Sequence, residues 1–345
     1  MSIFDDMTLA IEPISSLYLL DVVNKGKKFS TVRNYGHSIV KFLNYIDKSE
    51  DLDDWRIMNG FQFQDYLDHQ FAQNNLNAST VGQTETRLNL LYDWALERDF
   101  ISEDKRSHRF SLRGLDLELK KVNGRKKSLD PYGLNFQYID LEEFEFLASY
   151  KTERKSYFID RNDLILRFGY FCGLRASEVV DQRNLRISRL KQAIGVSEKK
   201  GSKGLYITIV GKGPSTGKVR TIYIPESLKI KILRFISGAR KSIPGDLLIC
   251  KKSGEELNRQ FPSAMFSEAK KNLIKNLNDS RSADWVRFNR SFHSLRHSYA
   301  TNLCALCREN GINTVLVQER MGHEDMSTTR IYIAFEKTIN LGCEI

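Results

Sequence analysis

Residues 291–333 read SFHSLRHSYATNLCALCRENGINTVLVQERMGHEDMSTTRIYI. Helical spacing places His293, Arg296 and His297 on one face, since positions three and four apart stack along a helix. Two histidines four residues apart invite a zinc reading. Ser294 stands where a zinc protease needs its glutamate, however, and no third ligand is apparent, so no metal is expected. Cys304 and Cys307 form a CxxC inside the apparent helix from Tyr299 to Glu309, with no second pair for zinc and no preceding strand for a redox motif. They read as buried helix face. Together with Cys172, Cys250 and Cys343 they make an odd, scattered set, which argues against a disulfide framework. Further on, His323 follows Gly322, and Tyr332 lies between Ile331 and Ile333. Taken singly, these are a helix cap and a core tyrosine.

Working upstream, GLRASEV (residues 173–179) sets Arg175 and Glu178 one helical turn apart, by default an ion pair. Before it, Asp140 precedes an acidic first turn (Glu142, Glu143), and a further helix runs through Asp163, Leu166 and Phe168 to Phe171. Leu205 to Val210 alternates into the turn-rich Gly211-Lys-Gly-Pro-Ser-Thr-Gly217 and returns through Val219 to Ile224, a β-hairpin signal. The turn is not a phosphate loop: Lys212 occupies the first glycine position, and Val219 follows Lys218 where a hydroxyl belongs. Nor does it fit a dinucleotide fingerprint, because Thr216 breaks the glycine pattern and a strand follows instead of a helix.

The first half is helical as well. From Ser30, placed to cap, Val32, Tyr35, Ile39, Phe42, Leu43 and Ile46 keep a helical period, with Arg33, His37 and Lys41 as a stripe opposite. A second long helix spans about Thr80 to Arg98, with Gln83 and Arg87 outward, and shorter ones lie around Ile14 to Val23 and Met58 to Ala72. The chain of 345 residues carries 53 Lys and Arg against 43 Asp and Glu, net +10. That excess is uneven: residues 1–104 hold 9 basic and 17 acidic residues, leaving the remainder strongly positive. Lys105 to Lys127 alone carries nine basic residues, Lys126 and Lys127 among them, against Asp116 and Glu118. Clustered basic charge suits a polyanion partner, although a solvated run has the same composition. Hydrophobic residues make up 41% and charged residues 28%, which excludes disorder and membrane spans and permits real cores. The acidic N-terminus lacks the basic start of a secretory signal, so a cytoplasmic location is expected.

Arginine, lysine, histidine and tyrosine together are the inventory for cutting a phosphodiester without a metal. Two arginine forks can hold the non-bridging oxygens as charge gathers on them. Tyrosine, with a pKa of about 10, needs a neighbour to take its proton, and a histidine suits that task. The departing 5′ oxygen needs an acid, and a lysine on a hairpin can supply one.

In the order Arg175, Lys212, His293-Ser-Leu-Arg296, His323 and Tyr332, the chain resembles the tyrosine recombinase (phage-integrase) family over nearly its whole length. The resemblance implies a mainly α fold with a small β-sheet. It implies an N-terminal SAM-like helical core-binding domain over 1–119, a basic linker over 120–137, and a catalytic domain of the DNA breaking-rejoining fold over 138–345. The two domains would clamp duplex DNA, with no separate arm-site domain. Tyr332 would form a 3′-phosphotyrosyl bond, Arg175 and Arg296 would clamp the phosphate, and His293 would exchange a proton with Tyr332. Lys212 would protonate the leaving oxygen, with Lys218 its competitor in the longer turn. His323 would bond a non-bridging oxygen, with Glu178 and His297 in support. Arg33, His37, Lys41, Gln83, Arg87, Lys126 and Lys127 are the candidate DNA contacts. Neither cofactor nor metal is implied, and no membrane. The partners would be a specific recombination site in double-stranded DNA and, on two such sites, a homo-tetramer formed from monomers or dimers; DNA-bound protein would be nucleoid-associated. The activity implied is integration or excision of a mobile element. A type IB topoisomerase-like enzyme and a non-catalytic DNA-binding protein are the alternatives.

Overall fold

A computed structural model of the chain describes residues 2–4, 11–49, 52, 54–72, 78–102, 137–149, 155–211, 217–276, 285, 290–323 and 326–342. The chain separates into two compact units, residues 1–128 and 129–345. The expected linker lies outside the described residues apart from Gln137.

The first unit packs α1 (Pro13–Asn24), α2 (Phe29–Asp47), α3 (Gly60–Ala72) and α4 (Ala78–Glu97) around one apolar core. Pro13 suits the first position of α1, where its missing N–H costs nothing, and the Glu12 carboxylate accepts the Ser15 N–H at 2.6 Å. The helical period of α2 buries Val32, Ile39, Phe42 and Ile46 and leaves Arg33, His37 and Lys41 exposed. Ser30 does not cap this helix. The N–H groups of Thr31 and Val32 already bond to the Lys28 carbonyl, so the first turn begins at Phe29 and Ser30 lies inside it. Aromatic residues fill the centre: Tyr92 meets Trp55 and Phe63 edge-on, and its hydroxyl donates to the Trp55 carbonyl. Sequence alternation gave no sign of a short antiparallel ladder, β1 (Ile3–Phe4) against β2 (Ile11–Glu12).

The second unit contains α5 (Leu141–Ser149), α6 (Ser156–Cys172), the single turn α7 (Ala176–Val179), α8 (Ile187–Lys199) and the strands β3 (Leu205–Gly211) and β4 (Lys218–Ile224). It continues through α9 (Glu226–Ser237), α10 (Phe261–Asn276), α11 (Phe292–Glu309), α12 (Val315–Met321) and α13 (Met326–Gly342). Asp140 does cap α5, accepting the Glu143 N–H at 2.7 Å while the Glu143 carboxylate takes the Asp140 N–H. The hairpin is antiparallel, with Leu205 opposite Ile224 and Gly211 opposite Lys218. One large core joins α5 to α11, and a smaller one, built on Cys304, Cys307, Val317, Met321, Tyr332 and Phe335, fastens α13 to α11 and α12. Cys304 and Cys307 are therefore buried thiols on a helix face. Among the described residues, no helix is long and apolar enough to cross a membrane.

Candidate active site

The end of α6 decides where Arg175 stands. Gly173 takes the left-handed conformation (φ 63°) and closes the helix, its N–H returning to the Phe168 carbonyl. A Cβ there would lie 2.3 Å from the Tyr299 ring, so both conformation and space require glycine. The chain then turns out through Arg175, the N-cap of α7, whose N–H and Nη1 donate to the two oxygens of Glu178 at 2.9 and 2.8 Å. The ion pair read from the sequence is present, and Glu178 is more than its surface partner. It is 2% exposed and also accepts both terminal nitrogens of Arg220 at 2.8 and 2.6 Å. Burial alone would raise its pKa; the hydrogen bonds and charge of Arg220, with the charges of Arg296 and Arg175, overcome that and hold it at about 2.

Arg296 reaches the same place from α11. It is 1% exposed and donates to the backbone carbonyls of Gly173 and Met321, so one guanidinium ties the α6 terminus to the α12 terminus. Burial, then repulsion from Arg175 and Arg220, lowers its pKa to about 9, which leaves it charged at neutral pH.

Tyr332 arrives on α13 and is 3% exposed. Phe335, buried in the small core, and the Arg308–Glu336 bond of 2.7 Å hold that helix against its own α11. The Tyr332 hydroxyl lies 2.8 Å from Nδ1 of His297. The sequence reading gave the partnership with Tyr332 to His293 and a supporting role to His297; in the structure the hydrogen bond is made by His297. The reason is helical: His293 lies one turn earlier on α11 and is exposed, its ring edge-on to His297 with centroids 4.5 Å apart. Burial, then the charges of His293 and Arg296, lowers the His297 pKa to about 3, so its ring is neutral at pH 7. Burial pushes Tyr332 up to about 12, against the pull of Arg296. A neutral phenol and a neutral imidazole in contact can pass a proton. His323, just past α12, lies nearly parallel to the Tyr332 ring (centroids 6.0 Å) and is held by Thr329 Oγ1 at 3.0 Å from Nδ1.

Arg175, Glu178, Arg296, His297, His323 and Tyr332 therefore form one connected site, with His293 at its exposed edge. Lys212 lies outside the described residues, as do Lys126 and Lys127. Lys218 is exposed at the start of β4. In the first unit, Arg33 donates to His37 at 3.2 Å, and Arg87 donates to Gln83 at 2.8 Å and to Ser38 of α2 at 3.0 Å, so the two stripes adjoin. Sequence reasoning missed Arg220, although a signal existed. Arg220 alternates in phase with Ile222 and Ile224, and a charge on the inward side of a strand needs a buried partner. It also missed Asn184, whose buried amide joins the Glu178 carbonyl to both backbone groups of Val210; no pattern in the sequence marks it. Among the described residues, no three His, Cys, Asp or Glu side chains converge as a metal site.

Comparison with known proteins gives one consistent result. The profile of the Phage integrase family matches residues 139–338. Tyrosine recombinase XerD of Halalkalibacterium halodurans is 25% identical over 320 residues, covering 92% of this chain and 90% of its own. Tyrosine recombinase XerA of Pyrococcus horikoshii is 29% identical over 225 residues, 65% of this chain and 64% of its own. Among solved structures, the XerH site-specific recombinase bound to its difH substrate superposes with a TM-score of 0.59 at 19% identity, covering 92% of this chain and 80% of that one. A lambda integrase dimer bound to a COC′ core site gives 0.60 at 15% identity, covering 93% and 76%. These two likenesses establish a shared fold.

Proposed function

The chain belongs to the phage integrase family, and from that premise we propose that it recombines DNA at a specific site by transesterification through Tyr332. The observation that carries the reading is the Tyr332–His297 contact of 2.8 Å inside a cluster of guanidinium groups. A phenol attacking a phosphodiester must lose its proton and must meet a phosphate whose charge is neutralised. Both rings are neutral at pH 7, and the direct contact with the phenol favours His297 over His293 as the group that takes the proton, while His293 stands at the exposed edge of the site. Arg175 and Arg296 are assigned the non-bridging oxygens, with Arg175 the more accessible of the two. His323, beside the Tyr332 ring, is assigned a hydrogen bond to the same phosphate. Lys212 is assigned the protonation of the departing 5′ oxygen, with Lys218 as its rival. The phosphotyrosyl bond keeps the energy of the diester, so a 5′ hydroxyl from a partner strand can reseal it without ATP.

Tyr332 lies in the site of its own chain, which supports cleavage in cis. Residues 1–119 are assigned to core-site DNA, through the exposed stripe Arg33, His37, Lys41 and its neighbours Gln83 and Arg87. Exchange between two duplexes is assigned to a tetramer. Incubating the protein with a nicked suicide duplex tests the chemistry. Wild type should give an adduct that survives SDS, and Tyr332→Phe should bind the same duplex without forming one. An adduct from Tyr332→Phe would move the nucleophile elsewhere.

A further inference from the structure

We infer that Arg220 is a positioning residue for DNA cleavage, orienting Arg175 through their shared partner Glu178; the inference rests on the recombinase reading above. Arg220 is 8% exposed, and both of its terminal nitrogens are taken up by Glu178. Its Nη1 and Nη2 donate in parallel to Glu178 Oε1 and Oε2, at 2.8 and 2.6 Å. The same two oxygens accept Arg175, from Nη1 and from the backbone N–H. A two-point fork fixes the plane of a carboxylate, which a single ammonium cannot do. Fixing that plane in turn fixes the direction from which Arg175 is held. The orientation of Arg175 is therefore set on the far side of Glu178.

Two close approaches hold Arg220 itself. A Cβ on Gly211 would lie 2.8 Å from Glu178 Oε1 and 2.9 Å from Arg220 Nη1, and one on Gly322 would lie 3.0 Å from Arg220 Cδ. Gly211 is the residue before Lys212, and Gly322 the residue before His323. The side chain is thus pressed between the end of β3 and the turn after α12, and a Cβ at either glycine would push on Arg220. Asn184 closes the frame, bonding the Glu178 carbonyl and the backbone N–H and C=O of Val210. Arg220 is also imperfectly satisfied: its Nε–H is buried and has no acceptor among the described residues. A buried polar group kept with a donor unpaired calls for a reason other than fold stability, and orienting a catalytic cation is such a reason.

The test measures two quantities for each variant on a nicked suicide duplex carrying the junction sequence recovered from wild-type adducts. These are the single-turnover rate of covalent adduct formation at saturating DNA, and the Kd for the same duplex. Arg220→Gln should lower the rate by about tenfold or more while Kd stays within about threefold, because misoriented catalytic groups cost rate more than binding. Arg220→Lys restores the charge without the fork and should remain nearer to Arg220→Gln than to wild type. The double variant Arg175→Ala/Arg220→Gln should cleave no more slowly than Arg175→Ala, since the effect runs through Arg175. Should Arg220→Gln fail to fold, judged by circular dichroism, the uncharged change Gly211→Ala carries the test through the same rate loss. Losses that multiply in the double variant, or a Kd that rises in step with the lost rate, overturn the inference. So do Arg220→Gln rates within threefold of wild type. Absence of any adduct from wild type would instead bring down the recombinase reading, and this inference with it.

Discussion

Acid should weaken the second unit through His297. The ring is 6% exposed, and its pKa in the fold is about 3, lowered first by burial and then by His293 and Arg296. In the unfolded chain a histidine titrates at about 6.5. Below that pH the unfolded state binds a proton that the folded state refuses, so stability is complete above about 6.5 and declines until the pH nears the folded value. At pH 5 the unfolded imidazole is protonated about 30 to 1 while the folded one remains neutral, a loss of about 2 kcal/mol. His323, half-buried and lowered to about 4 chiefly by burial, adds about 1 kcal/mol after allowance for solvent screening. Together they take about 3 kcal/mol from a domain stability of about 5–15 kcal/mol. Urea unfolding at pH 7.5, 6.5 and 5.0, followed through tryptophan fluorescence, to which Trp285 contributes from the second unit and Trp55 and Trp94 from the first, reads this. Other groups titrate too, so the decisive quantity is the difference between wild type and His297→Asn, whose stability should fall about 2 kcal/mol less over this range. Equal falls for both proteins would show that His297 titrates normally, and would remove the neutral imidazole from the account.

Arg175→Ala should lose about 3 kcal/mol of transition-state stabilisation, roughly a hundredfold in cleavage, with little change in melting; near-normal cleavage would take it off the phosphate. Arg296→Ala should lose cleavage and also stability, because the Gly173 and Met321 carbonyls lose their donor at about 1–3 kcal/mol each. An unchanged melting temperature would contradict those bonds. Replacing the leaving 5′ oxygen by sulfur, which needs no acid, should rescue Lys212→Ala; rescue of Lys218→Ala alone would transfer the acid role. DNA affinity should fall by about 10³-fold or more between 50 and 200 mM salt if six or more phosphates are neutralised, and a flat response would contradict a DNA clamp.

What the sequence revealed was periodicity and residue type. His293, Arg296 and His297 fall on one face because helical spacing puts them there, and the alternation either side of Gly211 and Gly217 announces the hairpin. Contacts between elements were another matter. Which histidine meets Tyr332 depends on how α13 docks on α11, 35 residues away, and that is set by the packing of Phe335, Val317 and Met321. The Arg175–Glu178 pair is local and was readable; its second arginine comes from β4, 42 residues on, and was not. Arg220 could have been suspected from its phase in the strand. The start of α2 shows the reverse error, since Ser30 has the residue type of a cap although the backbone starts its helical bonds two residues earlier, at Lys28.

Everything proposed for the site turns on a covalent bond between Tyr332 and DNA at a defined sequence. Its most direct test is to recover SDS-resistant protein–DNA adducts from cells expressing wild type or Tyr332→Phe and to sequence the attached DNA. Wild type alone should give adducts, and these should share one junction sequence. Adducts from both proteins, or wild-type adducts scattered without a common junction, would contradict this.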